Sequence, residues 1–264
     1  MNIKEYVANK KILMREEVSS FTRTPSLVII QVNEDAGSNA YVKGKLKDAA
    51  EIGIDAKLIK LPIDVSEEDL LKEIDRINND DSVDGLIVQM PLPKGINEEH
   101  VKFAVNPSKD VDGFHPMSQY DPCTPKGIIN YLKAEGFPFV GKNAVVIGRS
   151  NIVGKPMAKL LTKEHMNVTV LHSRTTNEDM DFYLAHADLV VVAVGRKHFL
   201  NNQPLKETAY VVDVGINRDE DGLHGDARPD LKVALQTPVP GGVGLLTRIT
   251  LMDNLIEAYK NHIK

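Results

Sequence analysis

Short apolar runs rich in β-branched residues, spaced apart by helical patterns, constrain this chain more than any other feature. SLVIIQVN (26–33), DAKLIKLP (55–62) and GLIVQMPLP (85–93) read as strands, the last ended by prolines that cannot continue a ladder. Between them, SNAYVKGKLKDAAEIGI (38–54) and SEEDLLKEIDRIN (66–78) repeat apolar residues at helical spacing. Ser38 is the expected cap of the first helix, Val42, Leu46, Ala49 and Ala50 its apolar stripe, and Gly53 its stop. Ser66 caps the second, whose Leu70, Leu71, Ile74 and Ile77 share a face. Strand, helix, strand, helix, strand implies parallel pairing with helices on the sheet faces.

The rhythm restarts after residue 140. NAVVIG (143–148), NVTVLH (167–172), ADLVVVAVG (187–195) and YVVDVGIN (210–217) read as strands. KPMAKLLTKEH (155–165) and TRITLMDNLIEAYKNHIK (247–264) read as helices. The two stretches are separated by NPSKDVDGFHPMSQYDPCTP (106–125), which has no periodicity. It is an interdomain linker or a site loop, and in α/β proteins the two can coincide.

At 264 residues the chain can form one large α/β domain or two smaller ones. A formal charge of −5 argues against a general nucleic-acid binder. No apolar run reaches the ~18 residues of a membrane span, and MNIKEYVANKK lacks the apolar stretch of a signal peptide. The single Cys123 cannot form an internal disulfide, so a cytoplasmic location is expected. Cys123 itself, between prolines, reads as structural. The histidines show no metal spacing, and no metal is expected.

Two local patterns carry chemistry. Tyr41 and Lys45 are four apart on one helix face, at the border of its apolar stripe. That pair is either a ring packed on a lysine stem or a reactive amine beside a phenol. Burial next to neutral hydrogen-bonding partners would lower a lysine's pKa toward that of a useful base, whereas a carboxylate would raise it. Gln89, closing the buried run GLIV, is such a neutral partner or a satisfied strand end. Asp112, before Gly113, is a turn residue or an acceptor for a ligand's N–H groups.

The second pattern is VVIGRSNIVGKP (145–156), at a strand-to-helix handover. Gly148 permits a tight turn, Gly154 permits close helix packing, and Pro156 suits a first helical turn whose free N–H groups attract anions. A purely structural turn is the alternative, because the spacing is not the common G-x-G-x-x-G. The following strand runs into His172, Ser173, Arg174 and Thr175, with no carboxylate to hold a ribose 2′-hydroxyl. Arg149 and these hydroxyls suit a 2′-phosphate, which favours NADP over NAD.

Together YVKGKLKDAAEIGI, DGLIVQMPLPKGIN, KDVDGFHP, PCTPKGI, AVVIGRSNIVGKPMAKLL, HADLVVVAVG, VVDVGIN and TPVPGGVG, in this order, resemble the bifunctional methylenetetrahydrofolate dehydrogenase/methenyltetrahydrofolate cyclohydrolase family. The resemblance implies two α/β domains flanking a cleft. A folate-binding catalytic domain would span 1–121, with the helix 248–264 packing back on it. A Rossmann-like NADP-binding domain with a parallel sheet would span 122–247. It implies NADP-dependent oxidation of 5,10-methylene-tetrahydrofolate and hydrolysis of the methenyl product to 10-formyl-tetrahydrofolate. Such enzymes belong to one-carbon metabolism and purine biosynthesis and are typically homodimers.

Carried over by motif position, Tyr41, Lys45, Gln89 and Asp112 are the catalytic set, and Val88, Pro240 and Gly241 join Tyr41, Gln89 and Asp112 in binding folate. Gly148, Arg149, Ser150, Ser173 and Ile216 would contact NADP. The chain departs from the family pattern at Leu245 and Leu246, where Pro-Met is usual, and before VVDVGIN, where Pro-Gly is usual. A dehydrogenase-only member, a non-catalytic NADP- or folate-binding sensor, and an unrelated Rossmann oxidoreductase are the rival readings.

Overall fold

The computed structural model describes residues 1–33 and 35–263. The chain divides into two units, one of residues 8–123 and 248–264, the other of residues 1–7 and 124–247. The divisions fall inside α1 (Ile3–Ser19), at the start of α5 (Cys123–Ala134) and inside α8 (Val243–His262).

In the first unit, β1 (Ser26–Gln31), β2 (Asp55–Lys60) and β3 (Gly85–Val88) form a parallel sheet in the order β2-β1-β3, with Leu27 opposite both Ala56 and Gly85. β1 is buried along its whole length, as a central parallel strand must be. α2 (Ala36–Ile52), α3 (Glu67–Asn78) and α4 (Glu98–Ala104) connect and follow the strands. Ser66 caps α3 by accepting the Asp69 N–H at 3.1 Å, and Leu70, Ile74 and Ile77 face the core with Val28, Ile30 and Leu86.

The start of α2 differs from the sequence expectation. Asp35, not Ser38, is its cap: the Asp35 carboxylate accepts the Ser38 N–H at 2.9 Å. Ser38 lies inside the first turn, buried, its hydroxyl directed to the Met90 carbonyl at 3.4 Å. The apolar stripe also shifts, because Ala50 is exposed while Val42, Lys45, Ala49 and Ile52 are buried. Gly53 ends the helix in the left-handed region (φ +94°), its N–H returning to the Ala49 carbonyl.

α8 begins four residues before the expected start, and Lys264, the end of the expected helix, lies outside the described residues. From Ile249 to Tyr259 it is buried nearly all round, which requires partners for its polar groups. Asn254 supplies one by donating from Nδ2 to the Val111 and Asp121 carbonyls at 2.8 and 3.1 Å. Asp84, wholly buried, receives both terminal nitrogens of Arg23 at 2.7 and 2.6 Å and the Ser26 N–H at 2.8 Å. That bidentate pair ties the segment before β1 to the segment before β3.

In the second unit, β4 (Asn143–Ile147), β5 (Asn167–Leu171), β6 (Leu189–Val192), β7 (Tyr210–Asp213) and β10 (Leu235–Gln236) form a parallel sheet in the order β10-β7-β6-β4-β5. α6 (Gly154–Lys163) and α7 (Asn177–His186) make the crossovers around β5, and every β6 residue is fully buried. YVVDVGIN, expected as one strand, breaks after Asp213. Asn217 opens a separate antiparallel hairpin of β8 (Asn217–Asp219) and β9 (Gly222–His224). The chain bends where the Gly215 N–H meets the Asp213 carboxylate at 2.9 Å, and a side chain at Gly215 would collide with Asp226. Among the described residues no helix is long and apolar enough to cross a membrane.

Candidate active site

The first unit gathers its polar groups where α2, the end of β3 and the 106–122 loop meet. The middle of that loop is not solvated: Lys109, Asp110, Val111 and Asp112 are all buried, and Asp110 bridges Leu86 as a short extension of the sheet. Lys109 Nζ donates to the Ile77 and Asp80 carbonyls at 3.0 and 2.7 Å, satisfying the carboxyl end of α3. With that anchor, the loop delivers Asp112 to the amine of Lys45.

Lys45 is only 4% exposed, an unusual burial for a lysine. Its Nζ donates to Gln89 Oε1 at 3.1 Å and lies 3.8 Å from Asp112 Oδ2. Gln89 is held in turn, its side-chain Nε2 donating to the Met90 carbonyl at 2.8 Å and its backbone N–H to Ile30 at 2.8 Å. Lys45, Gln89 and Asp112 are therefore brought together. The neighbourhood is not the purely neutral one expected from Gln89 alone, because the carboxylate reaches the same amine. Val88, Asp112, Met90 and Phe114 line one narrow cavity with Asp110. Tyr41 is half-buried one turn before Lys45, and burial raises its phenol pKa while the Arg248 charge works against that rise.

Asp110 was not singled out from sequence, yet it is the group that shapes the DVDG turn. Its Oδ2 accepts the His115 N–H at 2.7 Å. Burial, reinforced by the Asp112 charge, pushes its carboxyl up to about 6 against that hydrogen bond. The folded state then holds a proton between pH ~4 and ~6 that an unfolded aspartate has released. Its contribution to stability therefore falls as pH rises through that window, by on the order of 3 kcal/mol. Urea unfolding of the wild type and Asp110→Asn at pH 4, 5, 6 and 7 measures this. The wild type should lose stability relative to the variant between pH 4 and 6; a constant difference would contradict the assignment.

The remaining candidates lie in the second unit, in loops that follow the carboxyl ends of its parallel strands, where α/β sheets place ligands. Gly148, Arg149 and Ser150 follow β4, Ser173 follows β5, Ile216 follows β7, and Pro240 and Gly241 follow β10. Gly148 adopts φ +119°, and a Cβ there would collide with the Ala193 carbonyl oxygen. A side chain at Gly154 would collide with the Gly148 carbonyl, so the turn requires both glycines and leaves its backbone bare. The Ser150 hydroxyl accepts the Val153 and Gly154 N–H groups at 3.2 and 3.3 Å, just before the first turn of α6. Arg149, Ser173 and Arg174 are exposed, Ile216 is 50% exposed, and no carboxylate stands between His172 and Thr176. This donor set fits a phosphorylated dinucleotide.

Two buried aspartates fix these loops and escaped sequence reading, although an aspartate closing the apolar run YVVD is itself a signal. Asp226 accepts the Val194, Gly195 and Arg196 N–H groups at 2.6, 2.9 and 2.7 Å. Asp213 accepts those of Gly215, Asp226 and Ala227, and burial still pushes its carboxyl up to about 6. On the β8–β9 hairpin, the acidic group Asp219, Asp221 and His224 is matched by Lys197, whose Nζ lies 2.5 Å from Asp219.

Comparison with known proteins identifies the family and the fold. A family model described as tetrahydrofolate dehydrogenase/cyclohydrolase, catalytic domain, matches residues 1–112, and its NAD(P)-binding counterpart matches residues 122–263. The bifunctional protein FolD of Oceanobacillus iheyensis is 44% identical over 98% of this chain and 96% of its own. The crystal structure of the bifunctional enzyme FolD, methylenetetrahydrofolate dehydrogenase/cyclohydrolase, from Campylobacter jejuni superimposes with a TM-score of 0.94. It is 38% identical and covers 98% of each chain. The Trypanosoma brucei methylenetetrahydrofolate dehydrogenase-cyclohydrolase, solved with NADP cofactor and inhibitor, gives a TM-score of 0.94 at 30% identity. That match covers 100% of this chain and 98% of the trypanosomal one.

Proposed function

The chain belongs to the tetrahydrofolate dehydrogenase/cyclohydrolase family, and from that premise we propose that it oxidises 5,10-methylene-tetrahydrofolate with NADP and hydrolyses the methenyl product to 10-formyl-tetrahydrofolate. The observation that carries this reading is the buried Lys45 amine, held by Gln89 and facing Asp112. A lysine kept almost out of water and directed by a fixed amide has no evident packing purpose, whereas proton transfer near a bound cation needs such a group.

In this reading the unit of residues 8–123 and 248–264 holds folate and the other holds the dinucleotide. Asp112 accepts N–H groups of the pterin, Tyr41 packs its ring on the aromatic part of folate, and Val88 and Gln89 close the pocket beneath. NADP held by the second unit would supply the acceptor for the hydride of the folate methylene carbon. Gly148, Arg149, Ser150, Ser173 and Ile216 bind it, the bare glycine turn receiving phosphate and Ile216 offering an apolar contact.

For hydrolysis, water adds to the methenyl carbon and its proton passes to Lys45 Nζ. The bond from that carbon to N5 then breaks as the carbinol hydroxyl gives up its remaining proton to become the formyl carbonyl; N5 takes up one proton, one is released overall, and the formyl group stays on N10. Gln89 Oε1 fixes the direction of Nζ throughout. The reading includes a homodimer working in the cytoplasm, where one-carbon units feed purine biosynthesis.

The cofactor half rests on Arg149 and on the missing carboxylate after β5. Arg149→Ala should raise the Kd for NADP about tenfold or more, the worth of a charge-assisted contact to phosphate, and leave NAD within about twofold. Calorimetric titration with both dinucleotides decides it; equal weakening would remove Arg149 from the 2′-phosphate. For the reaction as a whole, product recovered from a complete turnover should be 10-formyl-tetrahydrofolate. Recovery of the methenyl compound alone would leave a dehydrogenase.

A further inference from the structure

Tyr41, Gly44, Lys45 and Asp48 lie at positions i, i+3, i+4 and i+7 of α2 and share one face. Arg248, on α8, is laid against that face. Its Nε is 2.8 Å from Asp48 Oδ2, and its guanidinium fills the space left by Gly44, where a Cβ would collide with Nη1 and stand 2.8 Å from Cζ. Asp48 is almost wholly buried and is shared with Lys11, whose Nζ lies 2.5 Å from the other carboxylate oxygen and 2.6 Å from Glu51. The guanidinium is thus held by charge from the Nε side, where Nε itself is buried and makes no hydrogen bond. Among the described residues its two terminal nitrogens meet no acceptor, while its side chain stays 22% exposed. Its charge reaches Tyr41, where it opposes the effect of burial on the phenol.

A folate is chemically two-ended. The pterin presents neutral N–H donors and acceptors, which suit Gln89 and Asp112, and the far end presents glutamyl carboxylates. A planar guanidinium with free paired N–H groups is the side chain best matched to a carboxylate. Resting on the folate reading of this site, we infer that Arg248 is a specificity-determining residue that recognises the glutamyl carboxylates of the substrate, with Asp48 positioning it and Gly44 making room for it. The Lys45 amine and this cation share one helix face, so one folate molecule can engage both.

The test compares kcat/KM, with NADP, for 5,10-methylene-tetrahydrofolate and for its glutamyl diamide, in which both carboxylates are neutral. The wild type should prefer the acid by about tenfold or more, the effect of a charge-assisted hydrogen bond. Arg248→Met should bring that preference to within about twofold, and Arg248→Lys should retain part of it. Gly44→Ala pushes the guanidinium aside without removing it, in a helix that favours alanine, and should give an intermediate ratio. A merely structural role would lower turnover of acid and diamide alike. An unchanged ratio in Arg248→Met, or no preference in the wild type, therefore overturns the inference. Turnover of neither substrate by the folded wild type would overturn the folate reading and this inference with it.

Discussion

Lys45→Met leaves a protein that binds NADP with its affinity changed by no more than about twofold but hydrolyses methenyl-tetrahydrofolate about a hundred- to ten-thousandfold more slowly. The size follows from what a positioned proton-transfer group contributes. Methionine nearly matches the lysine stem in length and volume, so the 4%-exposed site stays filled. What disappears is the Nζ that donates to Gln89 and faces Asp112. Those two groups lose a partner, which costs about 1–3 kcal/mol of stability, so the assay belongs well below the variant's melting temperature. NADP affinity is the control because the dinucleotide loops belong to the other unit. Hydrolysis at the wild-type rate would remove Lys45 from the chemistry.

The second large effect lies in the dinucleotide turn. Gly148→Ala should weaken NADP by at least about a hundredfold and lower the melting temperature as well. Gly148 combines a φ of +119°, which side-chain-bearing residues rarely adopt, with a Cβ position that runs into the Ala193 carbonyl oxygen. Backbone cannot step aside as a flexible side chain can, so β4 and the start of the 193–195 loop must separate. Gly136→Ala is the comparison. It also has a positive φ, +72°, but nothing lies within 4 Å of the added carbon. That variant should lose about 1–2 kcal/mol through backbone strain and keep its NADP affinity. Equal behaviour of the two would mean that the collision at Gly148 is relieved without moving the turn.

What could be read from sequence, and what could not, follows the range of the interactions involved. α3 was legible because its cap, acidic first turn and apolar stripe all lie within a dozen residues and agree. α2 was legible as a helix, but its start was not: Asp35 and Ser38 are both good caps, and the backbone chose the earlier. α1 gave no clear stripe, since Ile12 and Leu13 are exposed among its apolar residues while Ile3, Val7, Met14 and Val18 are buried. The break after Asp213 depends on Asp226, thirteen residues further on, and no local pattern carries it.

The active-site chemistry divides the same way. Lys45 and Gln89 stood out because a lysine bordering an apolar stripe and an amide closing an apolar strand are each conspicuous alone. The approach of Asp112 to Lys45 was not legible, because the burial of its loop depends on Lys109 reaching the carboxyl end of α3. Arg248 was beyond sequence reasoning altogether. Nothing local links it to Gly44 and Asp48, two hundred residues earlier, until α8 is laid on α2.

The bifunctional activity is tested most simply by an absorbance time course on the purified protein with 5,10-methylene-tetrahydrofolate, run in parallel with NADP and NAD. Reduced nicotinamide and the methenyl intermediate are followed together. Rapid reduction of NADP is expected, with slower reduction of NAD and little build-up of methenyl because hydrolysis removes it. No reduction of either dinucleotide by correctly folded protein would contradict that activity.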